Sequence, residues 1–588
     1  MSFQDFISRA ELNYNSYQEE GVKWCIDKEM YDTGIYDDFK GGTVADLKGG
    51  IVADEMGLGK TITILGTMYL NPLHCTIIVV PVALIEQWSK AIKSYLNIDP
   101  IIYHGQNKSP FILAENINGE TPVVVITTYG VLAQRKPIKN DGIKLRPRYL
   151  VRNDYLNSIL YNINWNRIIY DEAHNMRNNS TQKFWSCNML QSNIKWCVTG
   201  TPIQNKLRDV RNLLRLFNIP PKDMKTTNQL EVLIETHMLR RTKIQAGINL
   251  PPLEITNTSV EWKSDFERKL NLKFMEYQQK ARRRYNEIDF ILGDDFDHVN
   301  DMDLNSINSS RSNNSESSEE LEFDLHNNDV ALPQFSYDNG MKNNILSILE
   351  QRQLGVPGTK RQLQAHYRNN HLLDEDIEEC ATLLENNMLT SMIRGRQMCI
   401  YPALILPKLQ DHIKENKLSR GINQLENYSS KLDAVVEHIQ NNNSTNRKIV
   451  FCNFKKEMNQ IYTRLINSSN GANNSYNENN IACYDGSLNH RSRRSIINNH
   501  NLKLLIIQIQ TACDGLNLQH YNEVYFVSPC WNPSMEDQAI ARCHRMGQTK
   551  TTKVYRFQMR FDDTQLTNMD DYIELNQRNK RSVIREMY

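Results

Sequence analysis

The stretch "GGIVADEMGLGKTITIL", residues 49–65, decides how this chain is read. It ends like a phosphate-binding loop of the form Gly, four residues, Gly-Lys-Ser/Thr. Counting back from Gly59-Lys60-Thr61, however, puts Asp54 where the first glycine belongs. The mechanics survive the change, because Gly57 and Gly59 let backbone N–H groups turn inward around a phosphate. Lys60 is placed to reach the β- and γ-phosphates of a nucleotide, and Thr61 to offer its hydroxyl to Mg²⁺. "GGIVA" reads as a short buried strand, and "TITILGTMYL" as the helix whose N-terminus faces the anion. A glycine-rich strand-to-helix turn with no ligand is the plain alternative for this stretch taken alone.

Working outward, 588 residues are too many for one core, and length alone suggests about three to four domains. Lys+Arg 69 against Asp+Glu 68 leaves a net charge of +1, so a nucleic-acid surface must be a local groove. The 11 cysteines are scattered without a C-x-x-C pair, which argues against a zinc ribbon, a RING module or a disulfide framework. Reduced, mostly buried thiols in a cytosolic or nuclear protein are expected instead. With no apolar N-terminal leader and no run of eighteen apolar residues, secretion and membrane spanning are not expected.

Residues 50–200 repeat one pattern: short apolar runs that end in a polar cluster and pass into a helical stretch. "TIIVV", "PVVVITTY", "RIIYDEAH" and "KWCVTGTP" are examples. Continuous rather than alternating hydrophobicity implies strands covered on both faces, hence a parallel α/β sheet. The pattern returns from residue 448 with "KIVFCNF", "IACYDGS", "LKLLIIQIQT", "EVYFVSP" and "KVYRFQM", so two nucleotide-fold lobes are expected. Between them, 262–285 reads as a charged helix. Residues 286–340 are acidic and Asn/Ser-rich, a composition too polar to offset chain entropy, and are expected to be disordered. Helical periodicity resumes over 341–415. The expected map is an N-terminal lobe at 1–245, helical protrusions and linker with the insertion at 246–430, a C-terminal lobe at 431–560 and a helical brace at 561–588.

Three further stretches carry chemistry. In "IIYDEAHNMRN", Asp171 and Glu172 follow a buried strand, the edge at which an open α/β sheet presents ligand-facing groups. Asp171 suits a Mg²⁺ ligand, directly or through water, and Glu172 suits orienting and deprotonating the attacking water. His174 either senses the nucleotide or packs at an interface. "VTGTPIQNKLRDV" brings Thr199 and Thr201 to a strand end beside the acids. In "NPSMEDQAIARCHRMGQ", Gln538, Arg542 and Arg545 fall at i, i+4 and i+7, one face of a helix. Arginines presented to a γ-phosphate by a second lobe stabilise transition-state charge once the lobes close. A surface helix with basic residues is the alternative.

The order "YQEEGVKW", "DEMGLGKT", "VVPVALIEQW", "DEAH", "TGTPIQN", "HMLRRTK", "GLNL", "WNPSMEDQAIARCHRMGQ" strongly resembles the SWI/SNF-like family of DNA-translocating ATPases in helicase superfamily 2. The resemblance spans nearly the whole chain except 286–340, and that family's own loop has Asp where this chain has Asp54. It implies two RecA-like lobes, ATP and Mg²⁺ as cofactors, and DNA-dependent ATP hydrolysis that drives movement along double-stranded DNA without strand separation. It also implies DNA-bound proteins such as nucleosomes or transcription complexes as targets, and a nuclear location. Gln18 resembles the family's adenine-reading glutamine, Gly515 its second-lobe glycine beside the nucleotide, and Arg542 and Arg545 its two arginines. Polymer contacts are implied for Thr127, Thr128, Trp531 and Asn532.

Some residues depart from the pattern. "QTACDGLNL" replaces two glycines by Ala512 and Cys513 and adds Asp514, an acid near a phosphate track. "SPCWNP" lacks one acid and one aromatic, and Tyr401 stands where the family has histidine. With the short chain, these changes also resemble the "global transactivator"-like members of insect DNA viruses, which would place the protein in a viral replication compartment. A strand-separating DNA or RNA helicase, and a non-enzymatic scaffold retaining the fold, remain as alternatives.

Overall fold

Apolar runs without polar alternation need cover on both faces, and parallel strands joined through helices supply it. The computed structural model describes residues 2–30, 48–108, 110–117, 119, 121–133, 159–204, 206–276, 388–415, 420–442, 444–467, 476–513, 516–561 and 568–586. The first sheet holds β1 (Lys48–Val52), β2 (Cys75–Val80), β3 (Ile101–Ile102), β4 (Val123–Thr128), β5 (Trp165–Asp171), β6 (Ser192–Val198) and β7 (Met238–Leu239). Its order is β3-β4-β2-β5-β6-β1-β7, with every pairing parallel. β1, β2, β5 and β6 all end at one edge, where the loops of interest emerge.

The second sheet takes β8 (Leu253–Val260), β9 (Lys448–Cys452), β10 (Ile481–Tyr484), β11 (Leu504–Gln508), β12 (Glu523–Phe526) and β13 (Thr552–Met559). Its order is β10-β11-β9-β12-β13-β8, again all parallel. The α/β class with two parallel-sheet lobes is therefore as expected. β8 is not: it falls inside the stretch read as helical protrusions, yet it pairs with β13 along its whole length. "LEITNTSV" is exposed at most positions because it is an edge strand, so it lacks the apolar run that marks a central one.

Two layers cover the first sheet. On one face the helices Phe3–Arg9, Ser16–Met30, Lys60–Leu70 and Ile85–Leu96 bury Phe6, Trp88 and Trp196. On the other, Trp165, Tyr170 and Phe184 pack with Leu213 and Leu214 of the helix Leu207–Arg215. Buried aromatics of this size supply much of the apolar area that holds such a sheet. A charge is buried with them: Glu29 accepts from Arg167 Nε at 2.6 Å and Nη2 at 2.5 Å, from Trp196 Nε1 at 2.8 Å and from Asn71 at 2.7 Å. With both oxygens satisfied, the pair fixes the helix Ser16–Met30 to β5 and β6.

The chain divides into two compact units, residues 1–261 with 431–588, and residues 262–430. In the first, the fully buried pair Lys431 and Asp570 ties the start of the helix Ser430–Asn441 to the C-terminal helix Met569–Glu586. In the second, Phe266 stacks on Tyr428 at 5.1 Å between ring centres, and Tyr401 donates its hydroxyl to the Glu426 carbonyl at 3.2 Å. The 286–340 insertion lies outside the described residues.

His237, one residue before β7, is 1% exposed, and neither of its ring nitrogens makes a hydrogen bond. Burial, with Lys28 adding to it, pushes its pKa down from 6.5 to about 4. The unfolded imidazole thus binds a proton that the folded one refuses, so stability should be lost as pH falls from about 6.5 towards 4. Urea midpoints across this range should fall for the wild type and fall less for His237→Leu. Equal slopes for the two proteins would show that His237 contributes nothing to the acid lability.

Candidate active site

β1 runs out at Val52, and residues 53–59 turn into the helix Lys60–Leu70. Gly57 and Gly59 stand at φ +93° and +76°, a region that side chains avoid. A Cβ on Gly59 would meet Gln18 Nε2 at 2.6 Å. No side chain caps this helix, so its N-terminal end is open to an anion. Gln18 is buried beside the loop, with Nε2 3.5 Å from the Leu58 carbonyl.

The residue in place of the first glycine has a separate task. Asp54 is fully buried and accepts from Arg241 Nε at 3.1 Å, Nη2 at 2.5 Å and its backbone N–H at 3.0 Å. Arg241 also donates to the Tyr17 carbonyl and lies over the Tyr17 ring, 5.5 Å from its centre. Backbone bonds from Ala53 to Leu239 (2.7 Å) and Glu55 to Arg241 (2.9 Å) carry the β1–β7 pairing into the loop. The loop is held from its root, leaving its tip free to wrap a ligand. "HMLRRTK" served the sequence reading only as part of a resemblance. Its signal was the run of cations directly after an apolar pair.

Lys60 donates to the Asp54 carbonyl at 2.9 Å and lies 3.5 Å from that of Glu55. Burial lowers its pKa, while Glu172 and Asp54 act against the shift. Two carbonyl dipoles are a poor substitute for phosphate charge, and Lys60 needs only to swing off them to meet a ligand. Thr61 follows in the first helical turn, half-buried.

Across the loop, Asp171 closes β5. Its Oδ2 accepts from Trp88 Nε1 at 2.7 Å and its Oδ1 from the Glu172 N–H at 2.9 Å. Burial, with the Glu172 charge adding, raises its pKa to about 6. Glu172 sits at φ +49°, a left-handed conformation that costs a non-glycine residue roughly 1–3 kcal/mol. Burial acts to raise its pKa as well, but His174, Arg542 and Lys60 outweigh it and hold the group down at about 2. His174 Nδ1 lies 3.3 Å from Glu172 Oε2 and Arg542 Nη2 lies 3.7 Å from Oε1. The buried Glu172 Oε2 thus has the His174 ring as a polar neighbour. One strand end thus carries two acids of different readiness.

The readings left open for His174 narrow. Its Nδ1 is also 3.4 Å from Thr199 Oγ1, which accepts from the Thr201 N–H at 3.2 Å. Thr201 Oγ1 in turn accepts from Gln204 Nε2 at 3.0 Å and from Gln538 Nε2, in the second lobe, at 3.3 Å. Asn532 donates to Gln204 at 3.0 Å. A line of polar contacts therefore leads from Glu172 to the second lobe.

One geometric expectation needs correction. Gln538 and Arg542 share a face of the helix Pro533–Cys543, but Arg545 is not on it: the helix ends at His544, whose ring bonds the Pro251 carbonyl at 2.8 Å. Arg545 reaches the loop from the turn instead, its Cβ 3.8 Å from where a Cβ on Gly57 would stand. Burial, then Arg542, lowers its pKa. Thr127 and Thr128 are buried, and their hydroxyls are committed within the protein. Thr127 donates to the Tyr103 carbonyl at 3.0 Å, while Thr128 accepts from Val131 N–H at 3.3 Å. Asn532 is buried as the N-cap of its helix, and Trp531 packs against Tyr572, with Lys580 5.5 Å from its ring centre. Gly515 and Asp514 lie outside the described residues, whereas Ala512 is a buried core residue.

No group of three or more His, Cys, Asp or Glu positioned for a metal occurs among the described residues. The donor set fits Mg²⁺ all the same, because Mg²⁺ commonly takes one or two protein oxygens and completes its shell from phosphates and water. Thr61 and Asp171 would supply the protein oxygens.

Residues 17–331 match the SNF2-related domain, and residues 430–547 the helicase conserved C-terminal domain. The chain belongs to the SNF2-related family. It is 26% identical over 608 residues to the DNA repair protein RAD5 of Candida albicans, covering 86% of this chain and 53% of that one. To RAD5 of Saccharomyces cerevisiae it is 25% identical over 552 residues, 82% of this chain and 46% of that one. The chain thus spans about half the length of the curated relatives it matches. Among solved structures, the Sulfolobus solfataricus SWI2/SNF2 ATPase core in complex with dsDNA aligns over 98% of this chain and 92% of that one. The TM-score is 0.33 at 18% identity, too loose a superposition to argue from.

Arg241→Ala leaves the Asp54 carboxylate buried and unpaired, a loss of about 3–5 kcal/mol. Thermal unfolding should fall by several degrees, and an ADP-dependent rise in the transition should disappear. The double variant Asp54→Asn with Arg241→Met should recover part of the stability. An Arg241→Ala protein that melts with the wild type would show that the pair does not hold the loop.

Proposed function

We propose that the chain is an ATP-dependent translocase on double-stranded DNA, one that remodels or displaces DNA-bound protein complexes without separating the strands. The observation that carries this reading is the convergence on one loop of Lys60, Thr61, Asp171 and Glu172 from the first lobe with Arg542 and Arg545 from the second. Lys60 neutralises the β- and γ-phosphates of ATP, and the loop N–H groups bind their oxygens. Thr61 and Asp171 would hold Mg²⁺, which would supply charge neutralisation at the phosphates. Glu172, held ionised, accepts a hydrogen bond from water and aims it. A carboxylate of so low a pKa orients the nucleophile rather than removing its proton in advance. Arg542 and Arg545 stabilise charge on the transferring group only when the lobes are closed, so DNA that aligns the lobes accelerates turnover.

The curated relatives carry names of DNA repair proteins, which supports a DNA substrate and a nuclear setting. A viral replication compartment is the narrower variant. The division into a lobe at 1–245, helical protrusions at 246–430, a lobe at 431–560 and a brace at 561–588 belongs to this proposal, with β8 counted in the second lobe. DNA contacts at Trp531 and Asn532 remain part of it, Trp531 half-buried and Asn532 buried. Thr127 and Thr128 would act through the strand end they stiffen.

Lys60→Ala should abolish ATP hydrolysis, since no other loop cation can take its place, whereas Glu172→Gln should bind ATP and not turn it over. Radiolabelled phosphate release and nucleotide binding, measured on the same preparations, separate the two. Wild-type turnover by Lys60→Ala would sink the assignment.

Movement along a duplex without unwinding should displace a third strand from a triplex but leave a partial duplex intact. Stimulation by unrelated duplexes should be similar and should fall steeply with salt, as phosphate tracking requires. Efficient unwinding with no triplex displacement would promote the strand-separating helicase instead. Absence of hydrolysis with any nucleic acid would favour the scaffold.

A further inference from the structure

The segment from Met238 to Val260 belongs to both sheets: β7 closes the first and β8 the second. Between those strands it runs along the phosphate loop. Arg240 Nη1 donates to the Ala53 carbonyl at 3.0 Å, and Arg241 grips the Asp54 carboxylate. Lys243 takes Glu55, with its backbone N–H 2.8 Å from Oε2 and its ammonium 3.2 Å from Oε1. Three consecutive loop residues are thus each held by a different cation.

Lys243 differs from the two arginines in where else it reaches. Its Nζ lies 3.5 Å from the carbonyl of His544, in the second lobe, and the His544 ring returns a bond to the Pro251 carbonyl at 2.8 Å. His544 ends the helix Pro533–Cys543 and immediately precedes Arg545. Lys243 Cε and Arg545 Cβ flank the same point, 3.7 and 3.8 Å from where a Cβ on Gly57 would stand. The second-lobe turn that carries Arg545 is therefore bonded, through one lysine, to the loop that Arg545 must face.

We propose that Lys243 is a positioning residue: bonded at once to Glu55 of the phosphate loop and to the main chain just before Arg545, it sets Arg545 against the loop when the lobes close. This rests on the ATPase reading of the site. An ammonium carries three donors in diverging directions, so one group can serve a carboxylate and a carbonyl on different lobes, whereas a planar guanidinium favours a single bidentate partner. Stability alone does not account for the contact, because a partly exposed Lys–Glu pair contributes about 0–1 kcal/mol. The Glu55 carboxylate would also stand unneutralised beside incoming phosphates without it.

The test uses the full chain with saturating duplex DNA and compares Lys243→Met, Lys243→Arg, Arg545→Ala and the double variant Lys243→Met with Arg545→Ala. Lys243→Met should lower kcat about tenfold or more, with KM for ATP and the affinity for a fluorescent ADP within about twofold of wild type. Lys243→Arg should recover little of that loss, because a guanidinium favours one bidentate partner over two on different lobes. In the Arg545→Ala background, Lys243→Met should cost nothing further, because its effect passes through Arg545. Losses that multiply in the double variant would overturn the proposal, as would a rise in KM with kcat unchanged or a wild-type kcat in Lys243→Met. A wild-type chain that hydrolyses no ATP would instead remove the ATPase reading, and this inference with it.

Discussion

The buried contact between Asp54 and Arg241 is the constraint on which the rest of the site depends. A phosphate loop has to leave its N–H groups unpaired, so it cannot be held by the hydrogen bonds that stabilise ordinary turns. Here it is held from its root. Both Asp54 oxygens go to Arg241, and Arg241 reaches on to the backbone and ring of Tyr17, next to Gln18. One charge pair thereby joins the sheet edge, the loop and the helix Ser16–Met30. An ion pair buried this deeply adds little net stability over an apolar substitute, but it fixes a geometry that an apolar contact would leave loose.

The same economy governs the acids at the end of β5. Asp171 and Glu172 are adjacent, yet their surroundings push them apart: burial leaves Asp171 with a pKa of about 6, while His174, Arg542 and Lys60 hold Glu172 at about 2. Near-neutral solution therefore leaves Asp171 poised and Glu172 firmly charged. In the proposed site Asp171 would face the cation and Glu172 the water. Glu172 holds its left-handed backbone among these charged neighbours, the kind of local strain that persists where the surrounding structure fixes a residue.

The central strands were legible because both faces are covered: "TIIVV", "PVVVITTY" and "LKLLIIQIQT" are mostly apolar, and each contains a strand, though Tyr129 and Ile509–Cys513 turn helical past the strand ends. β8 was not legible, since an edge strand exposed along most of its length carries neither an apolar run nor strict alternation. Arg545 illustrates a different failure. Spacing put it on a helix face, but spacing cannot register that His544 finds a better partner in the Pro251 carbonyl, almost three hundred residues earlier in the chain. Asp54 was recognised by position while its partner was not, because nothing local marks Arg241 as the residue that folds back onto it. For Thr127 and Thr128, a short polar side chain at a strand end does not disclose in advance that its hydroxyl bonds within the protein.

The contacts that join the lobes around the loop have a common character. Gln538 to Thr201, Asn532 to Gln204, Lys243 to the His544 carbonyl and Arg542 near Glu172 are all polar. Each hydrogen bond of this kind is worth about 0.5–1.5 kcal/mol net, because water offers nearly the same when the groups part. Closure built from a few such bonds is close to balanced. In the proposed site, phosphate charge between Lys60 and the two arginines would add a term that water cannot replace, and loss of the γ-phosphate would remove it. If the proposed function holds, a cleft sealed by exchangeable polar contacts would open when its ligand changes, whereas one sealed by apolar contact would stay shut.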